Sequence, residues 1–402
     1  MIKNINFEFY YIFSNFEIES LMVKRYEAQL NKRKTEGSYI NLTTAHNTID
    51  FCSNDFLGLS ASTDLKTRIL KFLKNLESVS YVGGTGSRII SGNTALIESL
   101  ENFIATYHYA EAGLLFNSGY DANIGLLSCL PERMDTVFYD RGINPSVKDG
   151  IRLSHARALP FKHNNLTHLE QLLNKSKGQP FVVVQSVYAS DGAIAPLKEI
   201  YRLCASHNAL LIVDESYAAG IYGNGGKGLV VENELSNKVF ARVISFSKAF
   251  GCHGAIVLGS QVLRNYLINF SRPFIYSTAV PFYNYISVKS AYDLLNENEE
   301  LLLALQGNIA CFKKLIEKSA LINSSDYIES QSPVQCFYAK GNSYCKKVTQ
   351  ALNRAGFDIK PLLSPFVAKG AERIRVCIHA FNTHDEMAAL VRELENQLLK
   401  NQ

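Results

Sequence analysis

"ARVISFSKAFG", residues 241–251, is the stretch on which the fold turns. Val243, Ile244 and Phe246 form a short apolar run, and Lys248 follows just before a small turn closed by Gly251. A lysine in that position is set by the end of a buried strand and not by a solvated face. The preceding apolar run, "ALLIVDES" (209–216), places Asp214 in the same way. Further upstream the pattern alternates. "EAGLLFNSG" (111–119) predicts strand and turn, "YDANIGLLSCL" (120–130) helix, "DTVFYD" (135–140) strand and "LTHLEQLLNKS" (166–176) helix. "QPFVVVQSVYASDG" (179–192) then predicts strand and "LKEIYRLCASHN" (197–208) helix. Continuously apolar strands separated by helices imply an α/β fold with a mostly parallel central sheet buried on both faces.

The flanks carry other patterns. Residues 20–36 have helical spacing (Leu21, Met22, Tyr26, Leu30), which predicts an exposed or partner-packing helix. "NTIDFCSNDFLGLS" (47–60) predicts a short strand and an irregular loop ended by Gly58, and Leu96, Leu100, Phe103, Ile104 and Tyr107 share a helix face. After "HGAIVLGS" (253–260) a long helical region over 282–320 predicts the passage to a smaller α/β unit. That unit has strands "PVQCFYAK" (333–340) and "RIRVCIHA" (373–380) and a terminal helix "EMAALVRELENQLL" (386–399). The expected organisation is an N-terminal helix and arm (1–60), a large domain (61–285), and a linking helix with a small C-terminal domain (286–402).

Composition narrows the function. With 47% apolar and 19% charged residues the 402-residue chain is globular, not disordered. A net charge of +4, with Lys and Arg dispersed, lacks the basic footprint of a nucleic-acid binder. Eight cysteines without a CxxC pair fit buried thiols in a reducing cytoplasm better than a metal site or disulfide framework. The aromatic stretch "FEFYYIFSNF" (7–16) contains Glu8, is too short to span a bilayer and lacks a cleavage site, so neither a targeting nor a transmembrane segment is expected.

Ligands of open parallel sheets collect at the carboxyl ends of the strands. Asp214, Lys248 and the turn Ser118–Gly119–Tyr120 all fall there. The turn opens a helix, whose free amides and positive dipole end suit an anion. Singly, each has a plainer reading: a cap, a surface lysine, an ordinary turn. Jointly, a carboxylate for a ring nitrogen, an amine for an aldehyde and a phosphate cradle are what pyridoxal phosphate requires. A lysine in a partly desolvated, cation-lined site has its pKa lowered, which frees the amine to attack. "GGTGSR" (83–88) fits neither a P-loop nor GxGxxG and is read as a turn near the site. His108, His155, His163 and His168 lack ligand spacing and are read as surface or structural residues.

These residues, with "CSNDFLGLS" (52–60), "GTGSRIISGN" (84–93), "IVDESYAAGIYGNGGKGL" (212–229) and "FIYSTAVP" (274–281), resemble the α-oxoamine synthases, fold-type I pyridoxal-phosphate enzymes. The resemblance covers nearly the whole chain. It is nearest to the members that join alanine to a pimeloyl thioester in biotin synthesis. It implies that Lys248 bonds the cofactor aldehyde and moves protons at the substrate α-carbon, and that Asp214 keeps the ring nitrogen protonated. Ser118, Gly119, Tyr120 and Ser245 would hold the phosphate, with Ser277 and Thr278 reaching it from a neighbouring subunit. Arg375 would bind the amino acid carboxylate, with Asn54 beside it. A cytoplasmic homodimer acting on an amino acid and an acyl thioester is implied, with no metal, nucleic acid or membrane.

Several positions depart from the family pattern. Asn144 stands where a histidine stacks on the cofactor ring, and Tyr217 where a histidine bonds its phenolic oxygen. Ala189 replaces a serine, Gln185 a glutamate, Ile40 a substrate-facing arginine, and Phe366 a threonine near the acyl chain. The departures leave two alternatives beside the synthase: a pyridoxal-phosphate-binding protein without turnover, and a related synthase with other substrates. A nicotinamide oxidoreductase lacks support, since no GxGxxG follows an early strand.

Overall fold

The computed structural model describes residues 22–42, 44, 48–74 and 83–399. The aromatic stretch 7–16 and Leu21 lie outside the described residues. Residues 22–35 form the expected helix, and Met22, Tyr26 and Leu30 are all exposed on it.

A two-residue strand, β1 (Ile49–Asp50), precedes the main sheet. That sheet contains β2 (Ala112–Phe116), β3 (Thr136–Asp140), β4 (Arg157–Phe161), β5 (Pro180–Gln185), β6 (Leu210–Asp214), β7 (Ala241–Ser245) and β8 (Ala255–Gly259), in the order β2-β8-β7-β6-β5-β3-β4. All pairings from β7 through β6, β5 and β3 to β4 are parallel, whereas β8 runs antiparallel to both β2 and β7. The apolar runs are explained by burial on two sides. Val182, Val184, Leu211, Val213 and Ile244 enter one hydrophobic cluster, while Phe181, Val183, Ile212 and Val243 enter a second on the opposite face.

The antiparallel sheet that follows has β9 (Tyr327–Ile328), β10 (Val334–Tyr338), β12 (Lys360–Leu362) and β13 (Arg373–Cys377), ordered β12-β13-β10-β9. Between them β11 (Phe357–Asp358) returns to pair in parallel with β1. The larger hydrophobic cluster is continuous from Phe51 through Val213 and Ile309 to Leu398, so both sheets rest on one apolar body.

Three features differ from the sequence reading. β4 was not expected; it is an edge strand with Arg157 and Ala158 exposed and Pro160 within it, so it has no continuous apolar run. The short strands β9, β11 and β12 carry too few residues to show a period. The long helical region is two helices, Phe282–Glu297 and Glu300–Lys318, because Asn298 leaves helical geometry (φ −131°, ψ 84°) and its side chain accepts the Glu300 N–H at 3.2 Å.

Two buried polar clusters hold the site-forming loops. Arg88, the end of "GGTGSR", pairs with Glu101, which is 1% exposed and also accepts from Arg264 at 2.9 Å and from the Leu115 N–H at 2.8 Å. That loop is thereby tied to β2. Behind β6, Glu215 accepts the Val230 N–H at 2.9 Å and lies 3.9 Å from Arg242, both side chains being fully buried. Arg242 in turn donates to the His108 carbonyl at 2.6 Å, and the His108 ring bonds Tyr292, which gives that histidine a structural place. The Lys248 turn is seated by Gly251 at φ +60°, where a Cβ would meet the Ser60 backbone nitrogen at 2.3 Å.

Burial pushes the Glu215 carboxyl up to about 7, against the opposing pull of Arg242. Between the ordinary glutamate range and that value the native state holds a proton that the unfolded chain has released, so this contribution to stability is present at low pH and lost as pH rises toward 7 and beyond. Chemical denaturation from pH 5 to 8 is expected to show a decline of about 2–3 kcal/mol from this group. Glu215→Gln is expected to flatten that decline; an unchanged slope would remove Glu215 as its source.

Candidate active site

Asp214 ends β6 with Gln185 of β5 and Val243 of β7 abreast of it. It is 3% exposed, and its two oxygens are met by the Ser216 N–H at 2.9 Å and the Asn123 side-chain amide at 3.1 Å. One strand over, β7 leads through Ser245 to Lys248, which is half-buried. The lysine pKa is lowered, chiefly by loss of water and next by the Arg375 guanidinium, with Asp214 pulling the other way. Its Nζ lies 5.4 Å from the centre of the Tyr217 ring.

On the other side of Asp214, the helix Gly119–Leu127 begins at the turn singled out in the sequence. Ser118 caps it, accepting the Asp121 N–H at 3.0 Å. Gly119 is packed so closely that a Cβ would lie 3.2 Å from the Ser245 Cβ. First-turn amides have no acceptor within their own helix, so Gly119 and Tyr120 offer theirs outward beside Ser245. The Tyr120 side chain is not part of this: it is half-exposed and its hydroxyl donates to Asp149 at 2.7 Å.

The small sheet supplies the third wall. Among the described residues Arg375 of β13 makes only long contacts, 3.5 Å to the Ala189 carbonyl, 3.5 Å to the Tyr217 hydroxyl and 3.4 Å to the Cys52 carbonyl. Its fork therefore keeps donor capacity for a carboxylate. Tyr217 donates to the Asn54 side chain at 3.2 Å, and the Cys377 Sγ lies 3.9 Å from that same oxygen. Lys248, Asp214, Tyr217, Arg375, Asn54 and Ala189 thus converge.

Asn144 caps the helix Pro145–Leu153, its Oδ1 accepting from the Ser146 N–H at 3.0 Å and hydroxyl at 2.8 Å. Ser277 is half-buried and Thr278 exposed; the Thr278 carbonyl accepts from Asn117 of the same chain at 3.0 Å. The loop at Gly84–Gly86 packs on the same segment, with the Ala279 N–H donating to the Gly86 carbonyl at 2.9 Å. Phe366, 68% exposed, lines with Ile40 a cavity of about 390 Å³ whose walls also include Tyr39, Lys346, Lys360 and Leu363. The Lys248 cluster is not part of those walls. Sequence reasoning missed Asn123, Ser146, Cys52 and Cys377. Neither Asn123 nor Ser146 carries a distinguishing signal in the sequence.

A close-packed glycine with free helix-start amides, a buried carboxylate and a desolvated amine fit the phosphate, ring nitrogen and aldehyde of pyridoxal phosphate respectively. Known proteins agree with that fit. The chain matches the aminotransferase class I and II family over residues 46–394. It is 36% identical to 8-amino-7-oxononanoate synthase from Emericella nidulans over 367 residues, 87% of this chain and 89% of that protein. The crystal structure of 8-amino-7-oxononanoate synthase from Francisella tularensis resembles it with a TM-score of 0.74 at 26% identity, covering 88% of this chain and 98% of that one. Serine palmitoyltransferase from Sphingomonas wittichii has the same fold, with a TM-score of 0.81 at 21% identity over 95% and 97% of the two chains. A family match across most of the length and kinship above 30% identity lead to one conclusion: the chain belongs to the aminotransferase class I and II family, and within it to the α-oxoamine synthases, pyridoxal-phosphate-dependent acyltransferases of fold type I.

Proposed function

We propose that the chain catalyses the decarboxylating condensation of alanine with a pimeloyl-type acyl thioester, giving an α-amino ketone, free thiol and carbon dioxide. The observation that carries this reading is the close grouping of Lys248, Asp214 and Arg375, in a chain 36% identical to a protein named for that product. When bound, pyridoxal phosphate supplies an aldehyde carbon and a ring that draws electron density from the substrate α-carbon. Arg375 holds the amino acid carboxylate, and Lys248, whose pKa is lowered first by desolvation, takes and returns the α-proton. Asp214 would face the ring nitrogen, and the Gly119 and Tyr120 amides with Ser245 would hold the phosphate.

The protein acts, in this reading, as a homodimer in a reducing cytoplasm. Its eight cysteines are all free thiols, and the exposed apolar ridge Met22, Val23, Tyr26 and Leu30 offers a surface for a second copy. Among the described residues no helix is long and apolar enough to cross a membrane. A second reading, a cofactor-binding protein without turnover, is favoured by one observation: the Asn144 carboxamide oxygen is committed to Ser146.

One assay separates the two. Thiol release from pimeloyl thioester with alanine is expected from the purified protein loaded with pyridoxal phosphate, and Lys248→Ala is expected to lower it by about 10²–10⁴-fold. Release only after Asn144→His, Tyr217→His and Ala189→Ser are combined would establish the second reading. No release from either protein, with no amino-acid-dependent change in absorption, would overturn the first.

The cavity lined by Ile40 and Phe366 is assigned here to the acyl chain. Phe366→Ala is expected to raise KM for the seven-carbon thioester about fivefold to tenfold through lost apolar contact while leaving KM for alanine unchanged. Equal movement of both constants, or of neither, would sink that assignment.

A further inference from the structure

Asn144 stands at the position where the resemblance puts a ring-covering histidine, yet its side-chain oxygen faces Ser146. The Ser146 hydroxyl has one proton, and it goes to Asn144 Oδ1 at 2.8 Å. The same oxygen must therefore accept the contact from Asn123 Nδ2 at 3.0 Å. The second proton of that amide goes to Asp214 Oδ2 at 3.1 Å. Because a carboxylate accepts and does not donate, the orientation of the Asn123 amide is fixed by Asp214. Asn123 is 3% and Ser146 2% exposed, so water does not compete for these bonds.

We propose that Asn123, Ser146 and Asn144 form a positioning relay that orients the Asp214 carboxylate toward the ring nitrogen of pyridoxal phosphate. The residue that departs from the family pattern thereby acts through the carboxylate and not by covering the ring. Hydrogen bonds in such a chain polarise one another, and outer partners of a buried functional group tune it even without touching the ligand. The proposal rests on the reading that Asp214 faces the ring nitrogen.

The groups that titrate around Asp214 are Lys248, Glu215 and Tyr217. The helices Gly119–Leu127 and Pro145–Leu153 face it with Asn123 and Ser146. Their charged residues are engaged elsewhere: Asp121 with Ser118, Lys148 with the Arg141 carbonyl, and Asp149 with Tyr120 and Arg152.

The test is a spectrophotometric pH titration of the visible absorption of the pyridoxal-phosphate-loaded protein, together with cofactor retention and Tm. Ser146→Ala and Asn144→Ala are each expected to move the spectral midpoint by about half a pH unit or more and to weaken cofactor retention about fivefold. Asn144→Asp keeps an acceptor and is expected to restore the wild-type midpoint. Asn144→Ala also loses a helix cap and lowers Tm, whereas Ser146→Ala leaves the bond from the residue-146 amide to Asn144 in place. A midpoint shift in Ser146→Ala therefore reports the relay apart from capping. With Asp214→Asn as control, a midpoint that moves in the control but in neither relay variant overturns the relay alone. A midpoint that moves in none of them overturns the assignment of Asp214 beneath it.

Discussion

A carboxylate buried at the end of a parallel strand is costly unless donors and a counter-charge meet it, and Asp214 is the point where this fold answers that cost. Its partners come from three separate places in the chain: the Ser216 amide just beyond β6, the Asn123 side chain on the helix after β2, and Lys248 beyond β7. Only the Ser216 amide is local in sequence; Asn123 and Lys248 are brought there by the fold. The parallel register of β6 and β7 sets the place of Lys248, and that register is held by apolar burial on both faces of the sheet. The large core thus does more than stabilise the chain. It fixes the relative height of strand ends, and with it the distance between an amine and an acid.

Much of this architecture was legible because burial on two sides leaves a coarse trace. β2, β5 and β6 are carried by continuous apolar segments, and a run such as "VVV" or "LLIV" has few other physical readings in a globular chain. β4 left no such trace, since an edge strand exposes one flank and tolerates Arg157 and Pro160. β9, β11 and β12 were hidden for another reason: two or three residues hold no period, and their pairing is decided by where β10, β13 and β1 already lie. Between residues 282 and 320 the polar "NENEE" kept helical composition while Asn298 broke the helix, a matter of one side chain competing for a backbone amide.

The site divided in the same way. Lys248 and Asp214 could be found because they terminate apolar runs, and the Ser118–Gly119–Tyr120 turn because it joins a strand to a helix. Arg375 was reached only through the family motif; as an arginine on a short strand it has no distinguishing neighbour in sequence. Asn123 and Ser146 were not reached at all. A buried polar residue inside a helix looks, in one dimension, like any exposed one, and only the packing of the helix Gly119–Leu127 against Pro145–Leu153 makes it a partner.

The departures from the family pattern fall in two physically different settings. Ile40 and Phe366 share a cavity rim, where replacing polar groups by apolar ones costs little and changes what can bind. Asn144, Tyr217 and Gln185 are placed where a lost or added hydrogen bond must be answered by a neighbour. Tyr217 is answered by Asn54 and Arg375, and Asn144 by Ser146, but the Gln185 Oε1 has no partner among the described residues. Gln185 lies directly abreast of Asp214 in the β5–β6 register. Ala189, which replaces a serine, lies beside Arg375 and not at that rim. The departures at Asn144, Tyr217, Gln185 and Ala189 thus meet different physical constraints from those at Ile40 and Phe366, which share a separate cavity.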